Sequence, residues 1–521
     1  ATEKRVQVEV EGDPYIDAFA SLKSYVWHPI AWLVPERALP STLLALTIAS
    51  AWLSALLAMR LGRALRGGTL GALLAAAILI VPKEQNWFGL VALSDTEFTA
   101  TLLGVPACLG VMLAIACRRP IVAVVIAACT LPIHAQTAGA LLAACTLWLL
   151  LAGPSRPHRI VGLVLLVLGG ALALGYRASR AMPADVASRV EAIGRQLYLE
   201  LIDPSVAPLA SWAAVFAIIA CGTIAAMGLR TRAASLAGWS ACSLAVPLAG
   251  IGLLAIGVQE PALWTLMLGR WLMLAQLAAL VMVAAWAGTK RGPALLAAVV
   301  LCVWPTGEGT RVDAVLLGIA LLLLAWSLLP RRAFDRETWL VRAVLVVAFA
   351  VSLDPNRRAT GFAWNTSQHD AIHRSWHDVQ RWAREHTPPE AAFLTPPYLA
   401  GWRVHSHRQT TAELRDGGIF FYADPSLLLA WHDRIERLGM DDLLEVAWTS
   451  DWEGVWLTGH MPTWNTLGDV ARTEYAARVQ DQHLAIGFGA DYVVLEYWTP
   501  RPPWGQEVYA NSDFIVLKVG P

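Results

Sequence analysis

The chain has 521 residues, 56% of them hydrophobic and only 15% charged, with a formal net charge of zero. Soluble domains carry about 25% charged residues, so this composition and a mean hydropathy of +0.50 exclude a wholly soluble protein. Zero net charge also removes any bulk electrostatic case for a nucleic-acid partner.

The first segment, ATEKRVQVEVEG, has neither an initiator Met nor an apolar core, so it does not read as a signal peptide. The stretch EGDPYIDAF follows, placing Glu11, Asp13 and Asp17 ahead of the first long apolar run. Asp13 and Asp17 are four apart and share one face if the segment is helical. The plain alternative is a solvated linker. Residues 1–37 thus form an acidic segment before the apolar region.

Apolar runs then recur across 38–353, at 38–59, 70–83, 99–117, 120–135, 137–153, 160–177, 209–228, 235–257, 262–288, 293–306, 312–329 and 338–353. Their lengths suit a polytopic α-helical membrane domain of about 12–13 spans. Basic residues gather in alternate connections: Arg60, Arg63 and Arg66; Arg118 and Arg119; Arg156 and Arg159; Arg230 and Arg232; Lys290 and Arg291; Arg331, Arg332 and Arg336. The positive-inside rule makes these cytoplasmic. Residues 1–37, the loops 84–98 and 178–208, and everything after 353 then face outward, which in a bacterial inner membrane means the periplasm. An exported N-terminus implies a span ahead of residue 1.

No Asp, Glu or Lys falls deep within a span, and no matched pair of Gly/Pro-broken helices marks the two halves. Both features weigh against an ion-coupled transporter. Polar groups collect instead at the outward ends. SDTEFTAT places Asp95 and Glu97 before a span, where an acid also serves as a helix cap. IHAQTAG sets His134 and Gln136 at a hairpin tip, where an interfacial histidine satisfied by backbone is the bland reading. Arg270 follows the loop that bears Glu260, and Arg177, Arg180, Arg189 and Arg195 lie on or near the segment 178–208. Within it, Val186, Val190, Ile193 and Leu197 form one stripe, predicting an amphipathic helix over 184–201 lying on the membrane with its arginines at the headgroups.

Beyond residue 353 the composition turns polar and rich in Trp, and residues 354–521 read as a soluble α/β domain. All seven cysteines lie in the apolar runs, so this domain has neither a disulfide framework nor a Cys-based zinc site. Ile372, Trp376, Val379 and Trp382 predict an amphipathic helix over 366–386, ended by Thr387-Pro388-Pro389. AAFLTPP, DYVVLEY and DFIVLKV read as strands, and 427–438 as a second helix. His369, His373 and His377 recur every four residues; zinc is one reading, a solvated polar face the plainer one. His405 and His407 flank Ser406 on an expected strand and point the same way, as candidates for glycan or partner contact. Most of the tryptophans are expected in the core, with Trp452 in WTSDWEGVW the candidate for an exposed stacking surface.

The acid-bearing outer segment, the SDTEFTA loop, the LPIHAQTAG hairpin and a long series of spans before an outer α/β domain together resemble the bacterial C-type glycosyltransferase superfamily. The stretch WHDVQRWAREHTPPEAAFLTPPYLAGWRVHSHRQTTAEL (376–414) is similar to C-terminal modules of uncharacterised multi-span proteins related to it. The resemblance implies a C-type glycosyltransferase-like fold and transfer of a sugar from a polyprenyl-phosphate donor with inversion. Asp13 or Asp17 would take the acceptor's proton. Glu97, His134, Arg177, Arg180 and Arg270 would bind substrate or the lipid phosphate. A tight acidic pair, common in active members, is replaced here by Asp13-x-x-x-Asp17. The alternative is therefore an inactive relative serving as a subunit or scaffold of a membrane complex. The residues imply no cofactor, although a divalent cation is compatible with the chemistry. Membrane lipid, polyprenyl phosphate and membrane-protein subunits are the expected partners.

Overall fold

The computed structural model describes residue 30 and residues 32–35, 38–80, 100–153, 155–179, 182–202, 209–230, 233–256, 268–289, 293–303, 319–324, 369–399, 401–414, 416–440 and 466–520. The expected span 338–353 and the segment 448–456 lie outside these residues.

An apolar helical body comes first. Its helices are α1 (Leu39–Ala64), α2 (Gly68–Ile80), α3 (Ala100–Ala116), α4 (Pro120–Cys129), α5 (Ala135–Ala152) and α6 (Arg156–Ser179). After the amphipathic α7 (Ala184–Ile202) come α8 (Leu209–Leu229), α9 (Ala234–Ala255), α10 (Leu268–Thr289) and α11 (Pro293–Val303). Five of these helices are long and apolar enough to cross a membrane by length and composition, and four shorter apolar helices join them. They match the expected runs to within a few residues, because continuous Leu, Ala and Val leave no capping or breaking signal except at the runs' ends.

Helix α10 is the hub. Of its most apolar window, 89% is buried, against 6% for α6, which lies along the outside. Small residues allow the hub's neighbours to approach closely, the usual device where helices pack without a hydrophobic gain. A Cβ at Gly288 would stand 2.0 Å from the Gly67 carbonyl oxygen and 2.4 Å from the Gly71 amide nitrogen. At the C-terminal ends of α1, α3 and α8, Arg66, Arg118 and Arg230 adopt left-handed backbone with φ of 62°, 57° and 55°. That conformation ends a helix while letting the chain reverse, and the cations also suit the helices' negative ends.

The C-terminal domain consists of α12 (His369–His386), β1 (Ala392–Leu394), α13 (Trp402–Ser406), β2 (Gln409–Thr410), α14 (Asp416–Ala423) and α15 (Pro425–Arg437). It continues with α16 (Thr466–Arg478), α17 (Gln482–Gly487), β3 (Tyr492–Glu496), β4 (Gly505–Ala510) and β5 (Phe514–Val519). The sheet order is β2-β1-β3-β5-β4. β1 pairs parallel with β2 and β3, while β5 runs antiparallel to β3 and β4. Alternate side chains divide the core, as the period of two requires. Phe393, Val494, Phe514 and Val516 meet Trp376, Val379 and Trp402 on one face. Leu394, Val493, Leu495, Ile515 and Leu517 meet Phe421, Leu428, Trp431 and Tyr475 on the other.

Helix α7 corrects the expectation of a helix resting on lipid. Val190 and Ile193 are buried in the second of these cores, and Val186 packs beside them. Arg189 donates to Asp433 of α15 at 2.9 Å rather than standing among lipid headgroups. An apolar stripe only demands a partner; here that partner is the C-terminal domain. Leu254, near the end of α9, packs against the cores of both the body and this domain. The domain therefore sits over the end of the body where α9 finishes.

Candidate functional site

The sequence-derived candidates divide by location. Asp13, Asp17, Glu97, Arg180 and Trp452 lie outside the described residues, as do the side chains of Arg177 in α6 and Arg270 in α10. His134 is described. It is the N-cap of α5, with Nδ1 accepting from the Thr137 amide at 3.1 Å and meeting Thr137 Oγ1 at 2.9 Å. One nitrogen is therefore committed to holding the helix start, the bland role foreseen for it.

Around that cap, several elements of the body converge. A Cβ at Gly104 of α3 would lie 3.2 Å from Thr137 Oγ1, and one at Gly139 would lie 3.9 Å from the Trp271 ring of α10. A Cβ at Gly250 of α9 would press on Leu268 at the start of α10. The beginnings of α5 and α10 and the end of α9 thus meet at the end of the body that carries the C-terminal domain. About 12 Å further along α10 is Gln276, fully buried, with neither Oε1 nor Nε2 hydrogen-bonded among the described residues. A buried amide without partners costs on the order of 2–7 kcal/mol by solvent-transfer reference. Sequence reading passed over Gln276 because it attended to ionisable groups. The signal was one amide inside LGRWLMLAQLAALVMVAAWAGT.

In the C-terminal domain, buried charges hold the loops. Arg403 donates through both terminal nitrogens to Asp416 at 3.0 Å and to the Thr410 carbonyl at 3.1 Å. Glu413 accepts from the amides of Gly401 and Trp402 at 3.1 and 3.0 Å, capping α13. Burial pushes the Glu413 carboxyl up to about 7, while Arg403 and these amides pull it back toward the charged form. Arg408 caps the far end of α12: it donates to the carbonyls of Arg384 and Thr387 and to Thr387 Oγ1. These are the orphan acceptors that a helix C-terminus leaves.

This framework overturns the strand expected around His405 and His407. Residues 402–406 form one helical turn, and His407 ends it in left-handed backbone at φ 52°. The alternation V-H-S-H mimics a strand, but the capped turn satisfies more backbone. His405 is exposed and His407 buried, so they do not share a face. His405 instead meets His377 of α12 edge to face, with ring centroids 4.3 Å apart. The pair opens onto a pocket of about 470 Å³ lined also by Arg381, Arg384 and Glu385.

For a metal, His432, Asp433 and Glu436 on α15 bring ligand atoms within 4.8 Å of one another. Asp433 pairs with Arg189 of α7 across the interhelical contact, with both side chains more than half exposed.

A domain family described only as a domain of unknown function, DUF6798, matches residues 374–438. That interval holds most of α12 and all of α13 to α15, with the Arg403, Arg408 and Glu413 contacts and the His377/His405 pair. No curated protein matches the chain.

Proposed function

We propose that the chain is a bacterial inner-membrane glycosyltransferase of the C-type kind, its C-terminal domain periplasmic, transferring a sugar from a polyprenyl-phosphate donor. The observation that carries the reading is Gln276, an amide kept fully buried inside the apolar body without a protein partner among the described residues. A purely structural core would exchange it for Leu. A ligand bearing hydroxyl or phosphoryl groups would use both ends of the amide. His134 and Trp271 stand at the end of the body where α10 begins, about 12 Å along that helix from Gln276, so an elongated ligand such as a lipid phosphate would reach both places. In this reading Asp13 or Asp17 takes the proton of the acceptor hydroxyl as its oxygen attacks C1. The C1–O bond to phosphate breaks, the anomeric centre inverts, and polyprenyl phosphate leaves. Cationic groups at the outer face, Arg270 among them, stabilise the charge developing on the phosphate.

The test is mass spectrometry of lipid retained by the gently purified full chain, with sugar transfer assayed in parallel. Stoichiometric polyprenyl phosphate in the wild type, and transfer lost in Asp13→Asn or Asp17→Asn, is the expected result. Only bulk phospholipid, with both variants equivalent to wild type, overturns it.

One observation favours the scaffold reading instead. Helix α6 exposes Val167, Leu172 and Leu174 along its outer side, and a Cβ at Gly169, Gly170 or Gly175 would meet open space. Small residues on a lipid-facing helix suit close docking of another transmembrane helix. A reproducible membrane partner lost on Gly170→Leu would support this reading.

A further inference from the structure

We propose that the His377/His405 pocket binds a phosphate-bearing, hydroxylated ligand, as a site separate from glycosyl transfer in the helical body. Along α12, His377, Arg381, Arg384 and Glu385 stand at i, i+4, i+7 and i+8, so one helix face supplies four of the five lining residues. His405 projects from the opposing turn α13, whose position is fixed by the Glu413 cap. Glu385 lies eight residues from His377, about 12 Å of helix. It cannot join the histidines around one metal ion, and two guanidiniums in the wall would repel a cation.

The same spacing suits an elongated anion. Arginine forks match phosphate oxygens in pairs, and the pocket uses only arginine as its permanent cation. Arg381 also donates to Asp378, whose carboxyl is held below its usual value first by the Tyr509 hydroxyl and then by Arg381. That contact orients Arg381, and a guanidinium has five donors, enough for both a carboxylate and a phosphate. Glu385 and the imidazoles are suited to hydroxyls. All five lining residues are exposed, so this depression of about 470 Å³ is open to a soluble or headgroup phosphate. A sugar phosphate and a phospholipid headgroup offer the same chemistry.

Glucose 1-phosphate, titrated calorimetrically into the full chain in detergent, tests the site. Saturable binding is expected, weakened at least tenfold by Arg384→Ala and by His405→Ala and unchanged by Arg501→Ala. Because Arg408 uses the Arg384 backbone carbonyl, removing the Arg384 side chain leaves the α12 cap in place. Unchanged far-ultraviolet dichroism and melting confirm that each variant folds. A second titration uses nanodiscs of phosphatidylcholine with or without phosphatidylglycerol. Competition by phosphatidylglycerol, lost in Arg384→Ala, identifies a lipid headgroup as the ligand's source; its absence identifies a soluble phosphate ester. No saturation up to roughly 10 mM (about −3 kcal/mol), or equal binding by every variant, overturns the proposal.

Discussion

The apolar body and the C-terminal domain differ in how they hold buried polarity, although the Trp402 indole nitrogen of the C-terminal domain is also without a hydrogen bond among the described residues. In the C-terminal domain, Arg403, Arg408 and Glu413 are buried and bonded through several atoms each, and the Tyr475 hydroxyl ties the β1 and β3 carbonyls together at 3.1 and 2.9 Å. In the body, Gln276 has neither end satisfied, and the Trp271 and Trp286 indole nitrogens likewise lack partners among the described residues. A satisfied network fixes one geometry and is costly to break. An unsatisfied group costs stability and persists where something outside the packing uses it. The first pattern marks a frame, the second a place to look for ligand.

That contrast breaks most visibly at Arg403. Arg403→Met leaves Asp416 buried without its bidentate partner, a loss of about 3–5 kcal/mol, and limited proteolysis should then cleave within the C-terminal domain. Wild-type resistance would mean that water replaces the guanidinium and that the network holds little. In the body the largest effect is expected from Gly288→Val. The added carbons meet the backbone at Gly67 and Gly71, which cannot swing aside, and overpacking costs about 1–3 kcal/mol or more. Monodispersity in detergent reads this out. Gln276→Leu should have the opposite sign, raising thermal stability by about 1–2 kcal/mol while lowering retained polyprenyl lipid. Lower stability with lipid unchanged would make Gln276 a structural group instead.

The last test is the pH dependence set by Glu413. Its carboxyl is raised in the folded state, so the folded protein holds that proton more tightly than the unfolded chain does. The contribution is full below the unfolded value near 4.5 and is lost as pH rises to about 7. The difference in melting between wild type and Glu413→Gln should therefore vary with pH across that window and level off above it. A difference that is constant with pH would place the carboxyl near its ordinary value.

Much of the fold could be read from periodicity. Among the described residues the apolar runs up to Val303 became helices with nearly the expected ends, and DYVVLEY and DFIVLKV became paired strands because a short continuous apolar run rich in Val and Ile suits a strand buried on both faces. The stripe of α7 was legible too, but its partner was not, since a sequence shows that a face must be covered and not what covers it. The α13 turn failed for a related reason. Its helix depends on a carboxylate eleven residues later, and V-H-S-H alternation carries no trace of that contact. Trp376, Trp402 and Trp431 took the expected core positions. For the site, sequence brought out His405 but gave it the wrong neighbour. His377 had been noted only for its helical spacing with His369 and His373, and its meeting with His405 depends on tertiary packing.

The place of Val190 and Ile193 bears on how the protein is made. These residues of α7 leave the ribosome well before the strands whose core they complete. Until the C-terminal sequence has been made and folded, α7 has an apolar face with no protein to cover it, and the late domain has a gap in its second core. Each is the other's missing part, so the final step of assembly is a docking event between distant portions of one chain.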